Sequence, residues 1–209
     1  PARKHALRSQ PIVEKTEQEY MQECKKKIEE IALKKLQSTT KLGKFDNINI
    51  LKTNKLNGIV YLTADKTFGG GTDTFFYELN LGNIFENSTY EQSLKTLSSI
   101  SAISDTVLSS QRMIKNSVSE ELYNQLCEYV LGKVGLDGAK VLNATEFASQ
   151  LEGYYTNLIC IQDNRIYNVY ANVNSFGSQK DHINNLMTEG ITKEIKITSE
   201  ENFKEFFTE

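Results

Sequence analysis

Between two apolar runs, residues 158–161 and 165–173, the chain places Asp163-Asn164, two residue types that tolerate a positive φ. A pair of that kind between strands specifies a tight hairpin, and so commits this part of the chain to an antiparallel sheet. In the second run Tyr167, Val169, Ala171 and Val173 share one face, with Ile166, Asn168, Tyr170 and Asn172 on the other. The spacing predicts one face in the core and one polar face open to water. A second antiparallel pair is predicted upstream, where residues 59–64 and 74–81 flank a polar loop at 65–73 that contains Gly69, Gly70 and Gly71.

Helices are read from a longer period. From about residue 13 to 37, Tyr20, Cys24, Ile28, Ile31 and Leu36 recur at three-to-five-residue steps, an amphipathic helix about 35 Å long at ~1.5 Å per residue. Ser88 with Glu91 and Ser117 with Glu120 have the spacing of capping boxes. The first opens a helical region over 90–116, which the Ser/Thr-rich stretch near 98–104 is expected to break. The second opens a helix with the stripe Leu122, Leu126 and Val130, ending at Gly132. A short helical piece is predicted at 144–151 and a last strand at 191–197. Thr198 with Glu201 then predicts a final helix carrying Phe203, Phe206 and Phe207. Strands and helices do not alternate strictly, so the class is α+β: a mainly antiparallel sheet packed with helices, preceded by a basic arm and a long N-terminal amphipathic helix. The organisation expected is an arm at 1–12, the helix and a connector at 13–41, and one globular domain at 42–209, with no internal repeat visible.

Composition narrows the compartment. No run approaches the ~18 apolar residues of a membrane span, and the basic, apolar-poor start does not read as a secretory signal. Cys24, Cys127 and Cys160 are scattered and odd in number, which predicts free thiols in a reducing compartment such as the cytoplasm, or in a particle assembled there.

Chemistry is sparse. The Gly69–Gly71 loop, with Lys66 before it, offers several backbone amides to one point and is the candidate anion or partner loop. It lacks the Gly-Lys-Ser/Thr run into a helix that a phosphate loop requires, and a flexible hairpin tip is the simpler account. Cys127 or Cys160 with His182 is the only nucleophile and base combination worth naming, and Asp181, His182 and Glu189 lack a further metal ligand. Glu120-Glu121 and Glu200-Glu201 read as first-turn acids of helices. No catalytic residue, metal or cofactor is expected.

Charge is the strongest functional signal. The chain carries a net −3, but residues 1–66 hold 14 Lys/Arg against 8 Asp/Glu, a net of +6, and residues 67–209 hold 10 against 19, a net of −9. Arg3, Lys4 and Arg8 form the basic arm, and Ile28 and Ile31 lie on the helix stripe. Together they are the candidate surface for a protein partner, either a second copy or another subunit of an assembly. The leading expectation is a non-enzymatic structural or assembly subunit of a virion, an appendage or a similar machine. Alternatives are an enzyme or small-ligand protein using the Gly69–Gly71 loop, and a nucleic-acid-associated factor using the arm. Four potential cations make a weak footprint for nucleic acid, which is not favoured.

Overall fold

The computed structural model describes residues 14–39, 43–100, 107–149, 153–173 and 177–208. Among them are four α-helices and two four-stranded antiparallel sheets, an α+β architecture. The first half runs α1 (Glu17–Thr39), β1 (Lys44–Thr53), β2 (Ile59–Phe68), β3 (Gly71–Asn80), α2 (Tyr90–Ser99) and β4 (Val107–Gln111). After a 3-10 turn at Ile114–Asn116 come α3 (Glu120–Lys133), β5 (Lys140–Ser149), β6 (Gly153–Gln162), β7 (Arg165–Asn172), α4 (Gln179–Leu186) and β8 (Glu194–Asn202). Helix, three strands, helix, strand thus occurs twice, with strand orders β1-β2-β3-β4 and β5-β6-β7-β8.

Period-two alternation gives each sheet two buried faces and the molecule four layers. Val60, Leu62 and Ala64 of β2 point to α1 and α2, where Met21, Cys24, Ile28, Ile31, Ala32 and Leu36 form the α1 stripe. Tyr61 of β2 and Phe76 of β3 point the other way and meet Leu142, Ile159 and Ile166 of the second sheet. That sheet turns Leu158, Cys160, Val169 and Ala171 outward onto Leu126, Val130, Ile183 and Leu186 of α3 and α4. The order is helices, sheet, sheet, helices. A helix expected ahead of the domain at 13–41 therefore supplies one wall of the first core, and Ile28 and Ile31, at 0% and 5% exposure, face their own sheet.

Both predicted hairpins form. Asp163 and Asn164 sit at φ 50 and 61 between β6 and β7, the left-handed pair a primed two-residue turn needs. Gly69 and Gly70, at φ 28 and 104, close β2 onto β3 with Phe68 opposite Gly71. Gly58 is steric: a Cβ there would lie 1.7 Å from the Gly82 carbonyl oxygen, so only glycine fits.

Four local expectations are corrected. The helical region expected over 90–116 is helix only to Ser99, and Val107–Gln111 is strand β4. The N-caps are Thr89, boxed with Gln92, and Ser119, each one or two residues later than Ser88 and Ser117. The piece at 144–151 is strand: β5 runs through 140–149 and pairs with β6 around a bulge between Val141 and Asn143. Nor is there a C-terminal helix at Phe203, Phe206 and Phe207; residues 194–202 are β8, and the described chain beyond, to 208, is non-helical. Its backbone is satisfied by the turn between β1 and β2 instead: Lys55 N donates to Lys204 O at 2.7 Å, and Phe206 N to Thr53 O at 2.9 Å. The Glu205 carboxylate accepts from Thr53 N at 3.1 Å. Phe203 then enters the layer between the sheets, while Phe206 stacks on Phe85 at 4.3 Å in the first core.

Burial of α1 yields a contrast between neighbours on one helix. Ile28→Ala is expected to lower the urea-unfolding free energy by about 2–5 kcal/mol, whereas Leu33→Ala, at a position 37% exposed, should change it by no more than about 0.5 kcal/mol. Equal, small effects would place the helix outside the cooperative core.

Candidate functional site

Three places concentrate polar or exposed chemistry. The first is the β2–β3 tip. Residues 67–73 are all exposed, and β4 pairs only with Phe76 to Asn80, so β3 from Gly71 to Asp73 has no strand partner on that side among the described residues. Phe68 is 45% exposed, the most exposed large hydrophobic side chain described. The Lys66 ammonium lies 5.6 Å from its ring centroid and 5.7 Å from that of Phe45, which holds a cation beside the bare ring. Gly69, Gly70 and Gly71 provide the turn, with open space on all sides.

The second is a seam where α3 and the turn after it meet β5 and the 3-10 turn. A cavity of about 530 Å³ there has Leu131, Ala139, Val141 and Leu142 in its lining, with Glu128 and Asp137 also on it. A neighbouring cavity of about 390 Å³ shares Lys115, Val141 and Leu142 with it, adds Lys140 and carries no acid. Asn116 anchors the 3-10 turn over this region by donating from Nδ2 to Thr74 O at 2.7 Å.

The third is buried under α4. Glu146 and Thr156 are register partners on β5 and β6; Tyr154, two residues from Thr156, has its ring centroid 6.2 Å from that of His182. Gln179, one turn before His182, acts on the Glu146 carboxyl from beyond hydrogen-bond range, lowering its pKa against the rise that burial causes. Exposure is 8% for Glu146 and 0% for Thr156 and His182. Both Glu146 carboxylate oxygens, the Thr156 hydroxyl and both His182 ring nitrogens have no hydrogen-bond partner among the described residues. Each such atom costs about 1–3 kcal/mol. Burial pushes Glu146 up to about 7 and His182 down to about 4, so each is favoured uncharged in the fold.

The candidates from sequence fall apart in space. Arg3, Lys4 and Arg8 lie outside the described residues. Ile28 and Ile31 are core, and Lys66 with Gly69, Gly70 and Gly71 is the hairpin tip. Cys24, Cys127 and Cys160 are buried and free, with thiols pushed up to about 11 mainly by burial, the reverse of an activated nucleophile. Asp181 completes the capping box of the N-cap Ser178, accepting from its hydroxyl at 2.8 Å, while Glu189 pairs with Lys133 at 3.4 Å. No cluster of three metal-ligating side chains occurs among the described residues. Glu200 and Glu201 lie on β8, not in a helix, and Glu200 holds Arg165 at 2.6 Å. The seam and the Glu146 cluster join residues distant in sequence, and no local motif announces them. No helix described is long and apolar enough to cross a membrane. Comparison with known protein families, curated proteins and solved structures finds no match to this chain.

The buried cluster has opposed pH signatures. Glu146 penalises the fold as pH rises from 4.5 toward about 7, and His182 as pH falls from 6.5 toward about 4. Relative to the parent, Glu146→Gln should therefore gain stability with rising pH across the first window, and His182→Asn with falling pH across the second. Each gain is at most about 3 kcal/mol from shifts of this size. Urea unfolding across pH 4 to 7 checks both; flat difference curves would mean that the two groups are hydrated in the fold.

Proposed function

We propose that this protein is a non-enzymatic structural or assembly subunit of a larger protein complex, of the kind found in a virion, an appendage or a comparable machine. The observation that carries the reading is Phe68: a large aromatic side chain left 45% exposed at a projecting tip, with a lysine at its face. Aromatic and cationic side chains together are what anchor protein interfaces, and a ring exposed this way gains most from a partner. The charge split adds direction. Lys66 ends the positive stretch of the sequence, as the basic arm begins it, and the acidic remainder offers the opposite sign. Compartment follows the same reading: buried free thiols suit a reducing cytoplasm or a particle assembled there.

A second reading, a small-ligand protein, is favoured by a different observation from the glycine loop. The cavity of about 390 Å³ carries Lys115, Lys140, Asn49, Thr63 and Thr74, a lining suited to a small anion. Calorimetric titration with inorganic phosphate, with Lys115→Ala and Lys140→Ala as controls, separates it from the first.

For the assembly reading, removal of residues 1–11 is expected to weaken association several-fold while leaving the far-UV spectrum and unfolding midpoint unchanged. Added salt should act in the same direction. Sedimentation showing a monomer with or without the arm, at low salt and high concentration, would overturn self-assembly.

A further inference from the structure

The assembly reading leaves open what the hairpin tip grips, and the chain carries both a knob and a hole. The knob is Phe68, exposed and therefore not seated in its own molecule, with the half-buried Lys66 beside it. The hole is the cavity of about 530 Å³ between α3 and β5, within the range that encloses a ring-sized group. Its lining is mixed: Leu131, Val141 and Leu142 contribute apolar surface, and Glu128 and Asp137, both exposed, bring acid to it.

Sign separates this cavity from its neighbour. Lys115 lies where the two meet, and beyond it the smaller cavity adds Lys140 and no acid, so a tip bearing Lys66 is repelled there. In the larger cavity two acids face that single lysine. An aromatic knob flanked by a cation matches a mixed hole that offers both aliphatic side chains and carboxylates, and the two lie on different parts of one chain.

We propose that the β2–β3 tip of one copy docks in the α3–β5 groove of a second copy, Phe68 packing on the aliphatic side chains and Lys66 meeting Glu128 and Asp137. This rests on the assembly reading and names its contact. Because knob and hole are different surfaces, the contact is head-to-tail: it leaves a free tip at one end and a free groove at the other, and repeats into a ring or an open filament. Lys66 sets orientation and encounter rate, and within this contact the ring contributes more affinity than the ion pair does.

The test is sedimentation velocity on the full chain at low salt over a concentration series. The parent is expected to associate, and Phe68→Ala and, separately, Glu128→Lys to weaken association about tenfold or more, the scale of an interface anchor. Both positions are exposed, so the folds should survive; circular dichroism checks this. Lys66→Glu combined with Glu128→Lys is expected to recover association lost in either single variant. Mixing Phe68→Ala, whose groove is intact, with Glu128→Lys, whose tip is intact, should give 1:1 dimers that grow no further. If the parent associates and Phe68→Ala does so equally, this contact is wrong and the assembly reading stands. Mixtures that yield no dimer, or growth beyond it, overturn the head-to-tail geometry. A parent that stays monomeric throughout overturns self-assembly itself.

Discussion

The layer between the two sheets is the constraint on which the rest of the molecule depends. An antiparallel sheet covered by helices on one face can leave the other to water, as the alternation in β7 first suggests. Here neither sheet does so over its centre: Tyr61, Phe76, Met113, Leu142, Ile159, Ile166 and Phe203 are all under 9% exposed and occupy one cluster. Seven such side chains, at about 1.5–3 kcal/mol each for full burial, contribute on the order of 10–20 kcal/mol before conformational entropy is subtracted. Either half alone would expose that face. The C-terminal segment closes the arrangement, with Phe203 between the sheets and Phe206 and Phe207 in the first core, so the end of the chain holds its first strands.

What the sequence discloses follows from whether the deciding interaction is local. Asp163-Asn164, the α1 stripe and the stripe of α3 are local signals, and each appears where expected. Strand β5 fails because its pattern is broken: Asn143, Ala144, Thr145 and Glu146 are all buried in succession, with the bulge at Val141 and Asn143 shifting the register. No period-two pattern survives that. The C-terminal phenylalanines have helical spacing by coincidence. Their backbone groups find the β1–β2 turn, some 150 residues earlier by the Thr53 to Glu205 separation of 152, a partner no local pattern contains. The repeated helix–strand order is equally silent, since helices of 23 and 14 residues open the two halves and only topology relates them.

The same division applies to the sites. Lys66 and the three glycines are visible as a loop because turn chemistry is local. The α1 stripe is visible too, but a stripe says that a face is buried, not against what, and Ile28 and Ile31 meet their own sheet. Cavities are assembled from elements that meet only in the fold, as Glu128 of α3 and Val141 of β5 do. The Glu146, Thr156 and His182 cluster is the extreme case: five unpartnered polar atoms within a core that is otherwise apolar. Their opposed titration makes the pair less sensitive to pH together than either is alone, since acid that relieves one burdens the other.

In the proposed assembly, magnitudes decide how tip and arm would divide the work. Burying one phenyl ring contributes about 1.5–3 kcal/mol, and a surface Lys66–carboxylate pair about 0–1 kcal/mol. Association costs an estimated 4–15 kcal/mol in lost translational and rotational freedom. A knob in a hole is therefore too weak by itself to hold two copies together at ordinary concentration. A second contact on the same partner changes the arithmetic, because the first has already met that entropic cost and the second acts at an effective concentration set by its tether. The basic arm, which precedes α1 in the sequence, carries the charge that the proposed assembly would need for such a second contact with an acidic neighbour. Individually weak contacts that become strong only together would suit the proposed subunit, which could add reversibly before it is locked in place.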